Sequence, residues 1–256
     1  MIIKKYLSFN IFGLYLFKVL TQVRLFFQKR TKNNSTIFFY YEQTKVLIEK
    51  NLNISSNCID LGASKGDILD LIIKSSPKGQ HIAIEPIPIF CKFLRHYYKS
   101  KNVDIVNAIA LDFDGTAPFY FQTNEPAISG FSKINKHFKA IQHLHLPVIK
   151  LDSVIGNNLS YDLIKIDCIG SELSIIKGAV SVLKRDKPII IFDFIAAHFN
   201  NQKAEELYKI LSDIGYCIFL LGNYPSGLKL SLKEFKTYIF DKNQSHFFAS
   251  LNVLKY

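Results

Sequence analysis

The sequence predicts an α/β domain with a mostly parallel sheet and helices on both faces. Three observations predict it. Short apolar runs alternate with amphipathic stretches from residue 58 to about 221, the pattern of successive βαβ units. The first apolar run enters a glycine turn, Asp60-Leu61-Gly62-Ala63-Ser64-Lys65-Gly66. The second ends on an acid, Glu85, about 20 residues further on, the spacing at which such folds place a ribose-binding carboxylate.

Each element follows from its local pattern. A helix is expected over about 37–50, after a first segment, 1–33. Cys58 to Leu61 is short and apolar and reads as a buried strand. A helix over about 66–74 follows, then a strand from His81 to Glu85 that Pro86 stops. Residues 88–100 are helical, and Val103 to Ile109 gives a third strand. The stretch 112–160 is less regular. It offers a strand over Pro118 to Gln122, a loop at Ser129-Gly130 and a short strand from Val148 to Leu151; His143 and His145 fit a surface loop and no zinc pattern. Tyr161 to Asp167 is a strong strand, 171–184 a helix, and Pro188 to Phe194 a central buried strand. A helix over 201–213 and a strand from Tyr216 to Leu221 follow. His246 to Leu251 is the last strand, expected without a full helix before it and antiparallel to its neighbours.

The net charge of +11 is unevenly placed. Residues 1–41 hold Lys4, Lys5, Lys18, Arg24, Lys29, Arg30 and Lys32 and no acid, which leaves +4 for everything after them. The basic character therefore belongs to an N-terminal helical extension, residues 1–50, and not to the domain over 51–256. That displacement argues against a nucleic-acid-binding site. The apolar stretch from Tyr6 to Phe17 is too short to span a bilayer, and no small-x-small cleavage site follows it. Two readings of residues 1–33 stay open: a helix packed on the domain with its lysines in water, or peripheral contact with the inner face of a membrane. The four cysteines form no Cys-x-x-Cys pair, and three lie in apolar runs. They read as small reduced residues of a cytoplasmic protein.

The site chemistry gathers at the strand ends, where open parallel sheets bind ligands. The turn spaces its glycines as Gly62-x-x-x-Gly66, with Ala63-Ser64 where a dinucleotide fingerprint has its central glycine. That disfavours a pyrophosphate cradle and an NAD-dependent oxidoreductase. It suits a phosphate-free ligand beside an acid. S-adenosylmethionine (SAM) is such a ligand, and Asp60 complements its amino and sulfonium charges. Glu85 can accept hydrogen bonds from both ribose hydroxyls. Asn107 ends the third strand and can position the ligand, while Ala108 and Ala110 leave room. Asp112 and Asp114 beside Gly115 make a turn. Asp167 ends the fourth main strand at the same sheet edge and can act as base or position an acceptor. Glu172 falls in the first turn of the next helix, where it also complements the helix dipole. Lys165 can pair with a neighbouring acid. Asp193 and His198 lie near the end of the fifth strand.

With those stretches in place the chain resembles the FkbM-type methyltransferase family. The matching residues run through Ile59-Asp60-Leu61-Gly62-Ala63, Gly66-Asp67, Ala83-Ile84-Glu85-Pro86, Asn107-Ala108-Ile109-Ala110, Lys150-Leu151-Asp152-Ser153, Ile164-Lys165-Ile166-Asp167, Gly170-Ser171-Glu172, Lys177-Gly178-Ala179 and Pro188 to Phe192. The resemblance implies a Rossmann-like class I methyltransferase fold with a seven-stranded, mostly parallel sheet and an antiparallel last strand. It implies SAM as cofactor, held by a set comprising Asp60, Gly62, Ala63, Ser64, Gly66, Glu85, Pro86, Asn107 and Ala108. It implies O-methylation of a hydroxyl on a sugar, glycan or small metabolite, with acceptor-side roles near Asp167 and Glu172 and no metal.

Two positions depart from the family's pattern. Ile169 stands where Asp-x-Glu-Gly would have its Glu, and Asp193 where Glu is common. The first departure, together with the basic, apolar N-terminus, motivates a second reading: a catalytically degenerate SAM-fold protein acting as a membrane-associated scaffold in glycan assembly. A nucleic-acid methyltransferase is disfavoured by the lack of an Asn/Asp-Pro-Pro-Tyr/Phe motif. The region 113–160 is expected to cover the site and choose the acceptor.

Overall fold

The computed structural model describes residues 11–16, 18–21, 36–123, 129–130, 141–156 and 158–251. Of the N-terminal segment, 11–16 and 18–21 are helical; the expectation for the rest of residues 1–33 lies outside the described residues.

The chain then alternates as its apolar pattern requires. Helix α1 (Thr36–Asn51) precedes β1 (Cys58–Leu61), α2 (Asp67–Ser75), β2 (His81–Ile84), α3 (Pro88–Tyr97) and β3 (Val103–Val106). A smaller sheet follows, built from β4 (Ile109–Ala110), β5 (Gly115–Gln122) and β6 (Ile141–Ile149). The main sheet resumes with α4 (Leu151–Val154), β7 (Leu163–Ile166), α5 (Glu172–Lys177), α6 (Val180–Asp186), β8 (Ile189–Asp193), α7 (Asn201–Asp213), β9 (Cys217–Leu220), α8 (Leu232–Phe240) and β10 (His246–Ser250).

Seven strands form the main sheet in the order β3-β2-β1-β7-β8-β10-β9. The first five are parallel, and β10 lies antiparallel between β8 and β9. This is the expected mostly parallel α/β sheet with an antiparallel last strand. All four residues of β1 and of β7 are buried, as strands covered by helices on both faces must be. Side chains alternate between the faces. Ile59, Leu61, Ile164 and Ile166 pack with residues of α5, α6, α7 and α8. Cys58 and Leu163 pack on the other face with Leu47 and Ile48 of α1 and Leu71 and Ile72 of α2. A third cluster joins α3 to the small sheet through Phe90, Phe93, Phe119 and Val148.

The structure corrects several element boundaries. The third strand stops at Val106, because the Asn107 side-chain amide donates to the carbonyls of Glu85 and Pro86 at 2.9 Å each and turns the chain out of the sheet. Residues 109–110 then pair in the small sheet. Val148 belongs to the nine-residue β6, and Leu151 opens a helix instead of ending a strand. His143 and His145 sit on exposed positions of β6, not in a loop. The single helix expected over 171–184 is two, broken where the Gly178 carbonyl accepts from the Asp152 N–H at 2.9 Å. A full helix, α8, does separate the last two strands. Its signal was in the sequence: Ser231 and Glu234 form a reciprocal capping box.

Phe235 of α8 is fully buried, with its ring against Phe194, Tyr208 and Phe247. Phe235→Ala is expected to cost about 3–5 kcal/mol of stability, read as a lower urea midpoint with an unchanged slope.

Candidate active site

The turn after β1 is built around two glycines. Gly62 has φ +73° and Gly66 φ +79°, a backbone conformation open to glycine at little cost. A Cβ on Gly62 would lie 2.1 Å from the Asp167 carbonyl oxygen. That close approach brings the ends of β1 and β7 together and opens a cavity at the carboxyl edge of the sheet.

Five residues of the expected cofactor set line this cavity: Gly62, Ser64, Glu85, Pro86 and Ala108. Asp167, Cys168, Ile169 and Ser171 form one side, Phe90, Ile109 and Phe119 supply apolar wall, and Ser129 and Gly130 approach from the small sheet. The carboxylate of Glu85 is held from two directions. The Ser64 N–H donates to one oxygen at 2.7 Å and the Ile87 N–H to the other at 2.8 Å. Glu85 is 3% exposed. Burial pushes its carboxyl up to about 7 against the lowering effect of those two bonds.

The other four members of the set serve the cavity from behind. Asp60 is buried and does not line it. Side-by-side pairing of Asp60 with Lys165 in the β1–β7 register puts the Lys165 Nζ 3.2 Å from the Asp60 carboxylate. The contact is ionic without hydrogen-bond geometry, and neither Asp60 oxygen has a hydrogen-bond partner among the described residues. The same ammonium donates to the carbonyls of Leu61 (3.3 Å) and Gly62 (3.1 Å) and lies 3.5 Å from Asp167. Burial alone would lower the Lys165 ammonium; Asp60 and Asp167 outweigh it and hold it above its ordinary value. Asn107 braces Glu85 and Pro86 through the two bonds described above, and Ala63 is buried in the turn.

Gly66 is reached from the N-terminal helix, a connection the sequence did not reveal. The Lys18 Nζ donates to the carbonyls of Lys65 (2.8 Å) and Gly66 (3.1 Å) and to the Tyr98 hydroxyl (2.7 Å), and pairs with Asp70 at 3.0 Å. Its ammonium also lies 4.4 Å from the centre of the Tyr97 ring. Lys18 is 2% exposed. A lysine within an apolar run reads as solvated; here it is a buried clamp on the turn.

On the acceptor side, Asp167 faces the cavity with its side chain about half exposed (52%). Glu172 does not reach it. Glu172 is buried at the start of α5, and its Oε2 has no hydrogen-bond partner among the described residues. Burial pushes its carboxyl up to about 9, so it is protonated at neutral pH. His198 packs against Gly170. One pairing was missed: the His246 Nδ1 lies 2.6 Å from the Asp193 carboxylate, with the Tyr40 ring centred 3.8 Å from the imidazole. The two residues face each other across the antiparallel β8–β10 register, which no local sequence pattern gives.

A seven-stranded sheet of this order, with a glycine turn, a buried acid just after the second strand and an open acid just after the fourth main strand, defines a protein of the class I methyltransferase type. The chain belongs to the FkbM methyltransferase family: the family model described as the methyltransferase FkbM domain matches residues 60–218. Among solved structures it is similar to the methyltransferase FkbM of Methylobacillus flagellatus KT at 21% identity and TM-score 0.49, covering 77% of this chain and 44% of that one. The chain thus spans less than half the length of that relative. It is also similar to a precorrin-6y C5,15-methyltransferase of Geobacter metallireducens GS-15 (14% identity, TM-score 0.40, 80% and 87% covered). A third is a putative O-methyltransferase of Klebsiella pneumoniae (10% identity, TM-score 0.46, 87% and 83% covered). No curated protein matches the sequence.

Glu172 gives this site a pH signature. Its folded value of about 9 lies above the ordinary 4.5. The stability it contributes is therefore full below about pH 4.5 and is lost as pH rises through about 9. Glu172→Gln keeps a neutral group of the same shape. The variant is expected to exceed the native protein in stability at about pH 8, by on the order of a few kcal/mol, and to match it more closely at about pH 5, measured by urea unfolding.

Proposed function

We propose that this chain is a SAM-dependent O-methyltransferase acting on a hydroxyl of a sugar, glycan or small metabolite. The observation that carries the reading is Glu85: a buried carboxylate fixed by the Ser64 and Ile87 N–H groups at the rim of a largely apolar cavity. Each bound oxygen keeps a lone pair for a ribose hydroxyl. The apolar wall of Ile87, Phe90 and Ile109 suits an adenine ring. The open carboxylate of Asp167 on the other side of the cavity complements an amino or sulfonium charge. This donor and acceptor set fits SAM, and Asp60 would act through Lys165 and the turn, without touching the ligand.

When bound, SAM supplies an electrophilic methyl group, so the protein's task is alignment and proton removal. Asp167 would hold and accept the proton of an acceptor hydroxyl bound beside it. Protonated Glu172 cannot serve as that base at neutral pH. Ile169 puts an apolar side chain into the cavity wall beside Asp167, which favours an acceptor with an apolar surface next to its reacting hydroxyl. With four free cysteines and no helix among the described residues long and apolar enough to cross a membrane, we place the protein in the cytoplasm.

Ribose hydroxyls donate to the ionised form of Glu85, and the free carboxyl titrates at about 7. Calorimetric titration with SAM is therefore expected to give an affinity that rises with pH and levels off above about 8, roughly tenfold weaker at pH 6 than at the plateau. Glu85→Gln should bind more weakly and without that pH dependence. Nicotinamide dinucleotide binding with no SAM binding would overturn the reading.

Asp167→Asn tests the proton-transfer role. Transfer of labelled methyl from SAM to hydroxyl acceptors is expected to fall by roughly 10²–10⁴-fold at saturating SAM, beyond the weaker SAM binding that loss of the Asp167 charge brings. Tight SAM binding by the native chain with no turnover on any acceptor would favour the scaffold reading.

A further inference from the structure

The helical residues 11–16 and 18–21 have two unlike faces. One is docked on the domain: Leu14 is 1% exposed, and Lys18 is clamped to the turn, to Tyr98 and to Asp70. The other carries Phe12, Leu16, Val19 and Leu20, exposed by 79%, 40%, 53% and 49%. Their spacing of four, three and one places them in one stripe along a helix. No other short stretch of the described chain exposes four large apolar side chains together. A stripe of this kind turned to water needs a partner.

The charge around it states which partner. Residues 1–41 carry seven cations and no acid, and Lys18, the one cation of that segment among the described residues, is buried. The stripe therefore sits within a purely cationic segment. A second copy of the same segment would bring like charge against like charge. A surface that is apolar beneath and anionic above satisfies both features at once.

We propose that this face of the N-terminal helix lies on an anionic lipid bilayer, with Phe12, Leu16, Val19 and Leu20 at the level of the acyl chains. Because Lys18 on the opposite face holds the carbonyls of Lys65 and Gly66, the bilayer lies beside the turn after β1. The proposal goes beyond the methyl-transfer reading and stands without it.

The test is co-sedimentation of the full chain with phosphatidylglycerol/phosphatidylcholine vesicles, against pure phosphatidylcholine vesicles. Native protein is expected to bind the anionic vesicles at least tenfold more tightly, and high salt should weaken it, since each cation near the surface contributes roughly fivefold. The double variant Phe12→Asp/Val19→Asp leaves Leu14 and Lys18 untouched and should lose at least tenfold in vesicle binding while keeping the native thermal transition. Native protein that ignores anionic vesicles would overturn the proposal. So would a double variant that binds like native, or a native dimer that the variant splits into monomers, which would assign the stripe to a second copy.

Discussion

The Nζ of Lys165 lies within 3.5 Å of four oxygens: the carbonyls of Leu61 and Gly62 and the carboxylates of Asp60 and Asp167. Those oxygens belong to the ends of two adjacent strands and to the turn that leaves one of them. A buried cation of this kind is tolerable only with its partners in place, and breaking a buried pair costs about 3–5 kcal/mol. The main effect of the group is therefore specificity of arrangement. It sets how far β1 runs before Gly62 turns, and it holds the Asp167 backbone where only a glycine can lie against it. The cavity exists because that corner is fixed.

From the corner, the carboxyl edge of the sheet presents one polar residue per strand. Glu85 follows β2, Asp167 follows β7, and Asp193 ends β8 with His246 of β10 as its partner. Their environments separate them. Glu85 is buried yet twice bonded, Asp167 is open and paired with a cation, and Asp193 is raised by burial while His246 opposes the rise. At Glu172, the first residue of α5, burial outweighs the backbone hydrogen bonds that oppose it, and the carboxyl stays protonated. Residues of one chemical type thus divide by surroundings alone into a buried carboxyl held by two N–H groups, an open carboxylate beside a cation and a protonated acid.

This division marks the limit of what the sequence discloses. Strand periodicity and the glycine turn locate the sheet, its carboxyl edge, Glu85 and Asp167, because those depend on neighbours within a few residues. Asp60 lies on the expected strand and Asn107 just past the end of its own, but their direction depends on the face each takes and on what lies across it. Asp60 points to the α2 side, where Lys165 waits in register; Asn107 points to the chain after β2. Lys18 and His246 were out of reach for a stronger reason. Lys18 meets partners 47 to 80 residues away, and His246 meets an acid 53 residues away through an antiparallel strand inserted between two others. The capping box at Ser231 is local and legible, although the stretch before it is rich in turn residues.

Lys18 also changes how the N-terminal charge should be weighed. A cation counted as part of a basic tail is in fact withdrawn from solvent, and burial lowers its ammonium although Asp70 opposes the change. Its four hydrogen-bond and ionic partners and its aromatic neighbours Tyr97 and Tyr98 make it an internal part of the turn's support. A long side chain with an apolar stem suits that task, since it can cross a hydrophobic layer and still deliver charge at its tip. The consequence is a physical link: the Lys18 side chain ties the N-terminal helix to the carbonyls of Lys65 and Gly66, and Gly66 is two residues from the Ser64 N–H that holds Glu85.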